Sequence, residues 1–246
     1  SRTVLTDGPH PISPLPENVG MKNKKSATLE QAVGRIQDGA TLLVGGFGQP
    51  GVPEILIDGV CDLRRRDLTI VTNNAGTGHS GIARLIEEGC VSRLICSFPW
   101  AKESFVFKEL YDAGKIELEI VPQGTLAERM RTAGAGLGGF LTPTGVGTDL
   151  ADGKKTMTVD GKDYVLEKPL RGDFALIKAY QTDPRGNLIY RKTARNFNPI
   201  MAMASDFTIV EVQEDVPIDA LDPEIIVTPG VFVDTYYVTG WYEIGK

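Results

Sequence analysis

Histidine is nearly missing from this chain: His10 and His79 are the two among 246 residues. Cysteine is almost as sparse, with Cys61, Cys90 and Cys96 forming an odd set that lacks any C-x-x-C spacing. Neither an H-E-x-x-H helix nor a Cys/His cluster can be assembled from these residues, so no metal is expected. No disulfide is expected either, and free thiols in apolar or helical contexts fit a reducing compartment, the cytoplasm. Apolar runs stay well short of the ~20 residues a membrane helix requires. Lys and Arg number 26 against 32 Asp and Glu, a net charge of −6, and the short basic clusters are Arg64 to Arg66 and the lysines from 22 to 25. Nucleic acid binding is therefore not expected, and both clusters read as solvated surface. The G-x-S-x-G elbow is absent as well, so His79-Ser80 defines no nucleophile.

Glycine, in contrast, is plentiful, and four of the seven residues from Gly45 to Gly51 are glycine. They follow Leu42, Leu43 and Val44, an apolar run suited to a strand buried on both faces of a parallel sheet. Gly45, Gly46, Gly48 and Gly51 remove the Cβ atoms that hold a ligand away from backbone. Pro53 is placed to open a helix at its first turn, with Glu54 beside the unpaired amides. Gly46 to Gly51 satisfies G-x-G-x-x-G, yet the next strand, Leu68 to Thr72, ends in Asn73-Asn74 and lacks the ribose-binding acid; Asp67 precedes that strand. A nicotinamide or flavin site is therefore not expected.

Taken in order, residues 1–20 carry four prolines and no periodicity. They are expected to form a disordered tail, with Met21 resembling a natural start and neither a secretory nor a transit pattern present. Ser26 to Gly39 places Leu29, Ala32, Val33 and Ile36 on one face of a helix. Helices over Pro53 to Leu63, Ile82 to Gly89 and Ser104 to Ala113 alternate with strands over Leu68 to Thr72, Val91 to Ser97 and Ile116 to Val121. That alternation predicts a doubly wound open α/β sheet. Pro122-Gln123-Gly124 is expected as a loop, Leu126 to Thr132 as a helix, and Gly134 to Gly139 as a turned connection. Asp160-Gly161 sets a type I′ turn in a hairpin inserted over 155–167. Phe174 to Ala179 and Phe207 to Val212 read as core strands, Leu188 to Tyr190 as a strand pairing back from the turn at Asp183 to Asn187, and Ile200 to Ala204 as a short helix. Ile225 to Val227 and Val231 to Tyr237 read as edge strands. Residues 21–246 are expected to be a single domain.

The stretch from Asp38 to Pro53 resembles the first signature of the class I coenzyme A transferases: Asp-Gly, two free positions, three apolar residues, Gly-Gly-Phe, three free positions, Gly, one free position, Pro. Other stretches are similar to the A-type subunits of the 3-oxoacid and 3-oxoadipate transferases. These are Thr72-Asn73-Asn74-Ala75-Gly76, Pro122 to Arg129, Thr142-Pro143-Thr144-Gly145, Gly172 to Leu176 and Ala194-Arg195-Asn196-Phe197-Asn198. The resemblance runs in order from Ser26 to Val233.

What the resemblance implies is CoA transfer between acyl-CoA and carboxylic acid, with a glutamate of the B-type half as nucleophile. That glutamate sits in a Glu-Asn-Gly motif that this chain lacks; Pro16-Glu17-Asn18-Val19-Gly20 has no adjacent glycine. A partner B subunit, in an A2B2 heterotetramer, is therefore expected, with coenzyme A thioesters as substrates and no cofactor. Such covalent transfer needs neutral donors for the oxyanion, because an Arg beside the carboxylate nucleophile would trap it in an ion pair. Gln123 is the candidate donor. Gly45, Gly46, Phe47, Gly48 and Gly51 are the candidate CoA-binding loop, and Asn73 and Asn74 the candidate contacts to acid or thioester. Each has a plainer alternative: a tight turn for the glycines, a cap for Asn73-Asn74, loop packing for Gln123. The roles of Arg195 and Asn198 are left open by sequence. A non-catalytic module for a small acid or sugar phosphate, and a short-chain fatty acid transferase, are the alternative functions.

Overall fold

The structure, a computed structural model, describes residues 23–101 and 103–241; the expected tail at 1–20 lies outside them. In chain order the elements are α1 (Leu29–Val33), β1 (Thr41–Val44), α2 (Glu54–Asp62), β2 (Leu68–Asn74), α3 (Ile82–Glu87), β3 (Val91–Phe98), α4 (Phe105–Asp112) and β4 (Glu117–Ile120). Then follow α5 (Gln123–Gly134), β5 (Phe140–Thr142), β6 (Thr156–Val159), β7 (Lys162–Glu167), β8 (Gly172–Thr182), β9 (Leu188–Ile189), α6 (Asn198–Met203), β10 (Ser205–Asp215) and β11 (Thr235–Val238).

The main sheet runs β11-β10-β8-β1-β2-β3-β4, with β9 paired to β8. Every neighbour along that path is parallel, and β9 is antiparallel. β1 lies between β2 and β8, which is why its three apolar residues have no wet face. Side-chain alternation splits them between two cores. Leu42 and Val44 pack with Leu56, Ile57 and Val60 of α2 and Leu85 and Ile86 of α3, whereas Leu43 joins Leu126 and Met130 of α5 and Ile200 and Met201 of α6. Helices thus cover both faces, as expected of a doubly wound sheet.

The chain winds outward from β1 through β2, β3 and β4 on one side, and through β8, β10 and β11 on the other. The crevice outside the carboxyl ends of β1 and its neighbours is therefore a topological switch point, where open α/β sheets bind ligands. A second sheet, β5-β7-β6, is antiparallel. Its hairpin turns at Asp160 (φ 50°) and Gly161 (φ 74°), the type I′ geometry expected there. Its third strand, β5, has no counterpart among the expected elements; Gly139 admits it, since a Cβ there would lie 2.8 Å from the Glu167 carbonyl oxygen.

Several expectations need correction. α1 is shorter than the Ser26 to Gly39 span: Thr28 caps it by accepting from the Gln31 N–H, and Ile36 reaches the core through a tight turn whose N–H donates to the Val33 carbonyl at 3.0 Å. Pro53 is the residue before α2 rather than its first helical residue. Gln123 is not in a loop but begins α5, because Pro122 is already the capping position. Lys24 is not mere solvated surface: its ammonium donates to the carbonyls of Gly230 and Val233, each at 2.6 Å. The edge strands foreseen near the end reduce to β11, since Pro223 and Pro229 each open a single 3₁₀ turn that takes in Ile225 and Val231.

Candidate functional site

The glycine loop leaves β1 at the switch point and is held by two asparagines from the segment before and at the start of α6. Asn196 Oδ1 accepts from the Gly46 N–H (3.2 Å), and its Nδ2 donates to the Pro50 carbonyl (2.9 Å). Asn198 is fully buried; its Nδ2 donates to the carbonyls of Gly51 (3.1 Å) and Ala194 (2.7 Å), while its Oδ1 accepts from the Lys178 N–H (3.0 Å). These contacts explain the glycines. A Cβ on Gly45 would lie 1.8 Å from Asn198 Oδ1, and one on Gly51 (φ 81°) would meet Asn196 Nδ2 at 2.7 Å. Gly46 has φ 126°, and a Cβ there would lie 2.5 Å from Val52. A Cβ on Gly48 would make only ordinary contact, 3.9 Å from Pro50 Cδ, so its φ of 63° rather than crowding selects glycine. Phe47 stands out from the loop, 52% exposed.

Beneath the loop, α2 begins against a buried carboxylate from across the sheet. Glu211 of β10 accepts from the N–H groups of Ile55 (2.8 Å) and Leu56 (3.3 Å), and its other oxygen lies 2.9 Å from Lys178 Nζ. Lys178 and Glu211 are register partners on β8 and β10. A carboxylate with these donors satisfies amides that the first turn of a helix leaves unpaired. Neither residue is among the candidates read from sequence. A signal for them exists: each interrupts an otherwise apolar core strand, and a charge in such a run must find a partner.

Glu54 occupies the first turn of α2, as its position indicated, but it is buried, and its Oε1 has no hydrogen-bond partner. Burial raises its carboxyl above the ordinary 4.5, only partly offset by the Gly81 N–H, which favours the charged form. The folded chain therefore binds this proton more tightly than the unfolded one, so stability is greatest below the unfolded-state pKa and declines as pH rises through the folded value. Glu54→Gln, neutral throughout, is expected to melt above wild type at about pH 8 and to converge with it near about pH 4. A melting difference unchanged across that range would show that the buried charge is not its source.

On the other side of β1, the carboxyl ends of β2 and β4 bring two predicted residues together. Gln123 Nε2 donates to Asn73 Oδ1 at 2.6 Å. Asn73 is buried and Gln123 exposed, so the pair is an amide anchored at one end and open to the crevice at the other. Asn74 is not part of this pair. Its Oδ1 accepts from the Gly76 N–H (3.1 Å), the local turn of its plainer alternative. Gln49 Nε2 donates to Thr77 Oγ1 (2.8 Å), linking the glycine loop to the segment after β2. Asn196 carries no sequence signal of its own because, within Ala194 to Asn198, nothing in composition separates a loop brace from an ordinary turn residue. Asn198, left open by sequence, proves to be a buried brace.

Neutral amides and backbone thus meet at the switch point of a doubly wound sheet. Residues 26–238 match the coenzyme A transferase family, and the chain belongs to it. It is 61% identical to the A subunit of the 3-oxoadipate CoA-transferase of Acinetobacter baylyi, over 87% of this chain and 93% of that one. Identity to the A subunit of the succinyl-CoA:3-ketoacid coenzyme A transferase of Helicobacter pylori (strain J99) is 45%, over 87% and 92%. Among solved structures, the acyl-CoA transferase YdiF of Escherichia coli O157:H7 superposes with a TM-score of 0.77 at 25% identity. That match covers 91% of this chain and 48% of the other.

Proposed function

We propose that this chain is the A subunit of a two-subunit CoA-transferase that moves coenzyme A between an acyl-CoA such as succinyl-CoA and a 3-oxoacid, with 3-oxoadipate the preferred acceptor and acetoacetate the second. The observation that carries this reading is the Gln123–Asn73 amide pair beside the braced glycine loop at the switch point. The higher identity to a 3-oxoadipate enzyme than to a 3-ketoacid enzyme supports the order of acceptors.

The nucleophile is a glutamate of the B subunit. The two carboxylates this chain places under the loop are engaged elsewhere: Glu211 holds Lys178 and the start of α2, and Glu54 is buried with its ionisation disfavoured. The partner's carboxylate oxygen adds to the thioester carbonyl, the CoA thiolate leaves, and a mixed anhydride forms. The thiolate then attacks the glutamyl carbonyl, releasing the first acid and leaving a glutamyl-CoA thioester. A second carboxylate reverses the sequence and takes up CoA. In each tetrahedral species Gln123 donates to the oxyanion while Asn73 holds its amide in place. The loop of Gly45, Gly46, Phe47, Gly48 and Gly51 lets the pantetheine arm pass against backbone. The assembly is an A2B2 heterotetramer that needs no cofactor beyond its CoA substrates. Buried free thiols at Cys61, Cys90 and Cys96 fit a cytoplasmic setting; among the described residues no helix is long and apolar enough to cross a membrane.

Alone, this chain is expected to give no CoA exchange, and with a glutamate-bearing B subunit it gains exchange with ping-pong kinetics. Treating the complex with acyl-CoA and then borohydride should leave the reduced residue on a partner peptide. Its appearance on Glu54, or on any other glutamate of this chain, would overturn the assignment of roles.

A further inference from the structure

Next to the glycine loop, on the side away from Gln123, a recess of about 320 Å³ opens among Pro50, Lys178, Tyr180, Arg191, Lys192 and Thr193. Its lining holds three cations and no carboxylate, in a chain whose net charge is −6. Lys178 is engaged by Glu211 at 2.9 Å. Arg191 and Lys192 have no ion-pair partner among the described residues. Nor is Arg191 loose: its guanidinium lies over the rings of Trp241 (5.2 Å) and Tyr180 (5.8 Å), which themselves meet edge to face. Lys192 adopts φ 51°, a left-handed conformation unfavourable for a lysine and one that is concentrated at ligand-binding positions.

We infer that this recess binds the far carboxylate of a dicarboxylic acyl group, with Arg191 and Lys192 as the residues that select dicarboxylic over monocarboxylic acids. The inference rests on the CoA-transferase reading above and deepens it. Its position argues for the acid. β8, which carries Lys178 and Tyr180, is separated from β2, which carries Asn73, by β1 alone, a distance of about 10 Å at the usual strand spacing. A six-carbon diacid whose reacting end lies at Gln123 and Asn73 directs its other end across the glycine loop toward the recess. The phosphates of CoA, in contrast, lie beyond the whole pantetheine arm. An arginine held by two aromatic rings, with no carboxylate on its donors, is preorganised for a bidentate carboxylate contact.

The test uses the reconstituted complex with its B subunit. In a ping-pong reaction, kcat/KM for the acceptor depends on the second half-reaction alone, so a dicarboxylic donor does not confound it. Arg191→Gln and Lys192→Gln are each expected to lower the ratio of kcat/KM for 3-oxoadipate to that for acetoacetate by about 10- to 100-fold, the scale of one charge-assisted hydrogen bond. Arg191→Lys should retain part of the ratio. Equal losses with both acids, accompanied by a matching loss in kcat/KM for the acyl-CoA donor, would assign the cations to CoA phosphate and overturn the inference. An unchanged ratio would overturn it too. A wild-type complex that transfers CoA to neither acid would instead strike at the proposed function, which separates the two failures.

Discussion

Gln123→Ala is expected to lower kcat of the A–B complex by about 10²-fold or more while leaving the melting temperature nearly unchanged. The magnitude is that of removing one preorganised donor from an oxyanion site. Stability should hold because Gln123 is exposed and its side-chain bond goes to Asn73 alone. The geometry also separates the donor from its support. Asn73→Ala removes the acceptor that fixes the Gln123 amide, so it should lower kcat by a smaller factor, and the double variant should lose much less than the product of the two singles. Unchanged kcat with reduced stability in Gln123→Ala would return the residue to helix-start packing.

The second large effect falls on folding. Glu211→Ala removes a fully buried carboxylate from Lys178 Nζ and from the amides of Ile55 and Leu56. Breaking one side of a buried pair is destabilising by about 3–5 kcal/mol. For a chain of this size that corresponds to a fall in melting temperature of roughly 10 °C. The consequence reaches the site, because Lys178 contributes the N–H that Asn198 accepts, and Asn198 in turn braces Gly51. A paired replacement, Lys178→Met with Glu211→Leu, should recover much of the loss, since an apolar pair of similar volume does not have to desolvate two charges. Urea unfolding of wild type and the two variants measures this. A Glu211→Ala chain within about 1 kcal/mol of wild type would show that Glu211 is not what anchors α2.

Local physics wrote the strands and helices into the chain. Leu42 to Val44 reads as a doubly buried strand because three consecutive apolar residues leave no face for water. Asp160-Gly161 reads as a hairpin turn because few residue pairs tolerate two positive φ angles in succession. The glycine loop was visible for the same reason: glycine is used where backbone must turn or be approached closely. The family resemblance singled out Gln123 and Asn73 individually, but their 2.6 Å contact joins residues fifty positions apart, and no periodicity reports a contact of that separation.

What tertiary structure alone decided is the order of the strands and everything that follows from it. Placing β8 beside β1 puts the Ala194 to Asn198 segment against the glycine loop, so that Gly45 is required by Asn198 Oδ1 and not by the turn itself. Placing β10 beside β8 pairs Lys178 with Glu211, two charges that sequence shows only as interruptions in apolar runs. Strand pairing at this range is a balance of burial summed over the whole sheet, with β1 surrounded on both sides. Sequence therefore determined which segments are strands, helices and turns, whereas the fold determined which of their side chains meet at the switch point, because only the assembled sheet brings those distant segments within hydrogen-bonding reach.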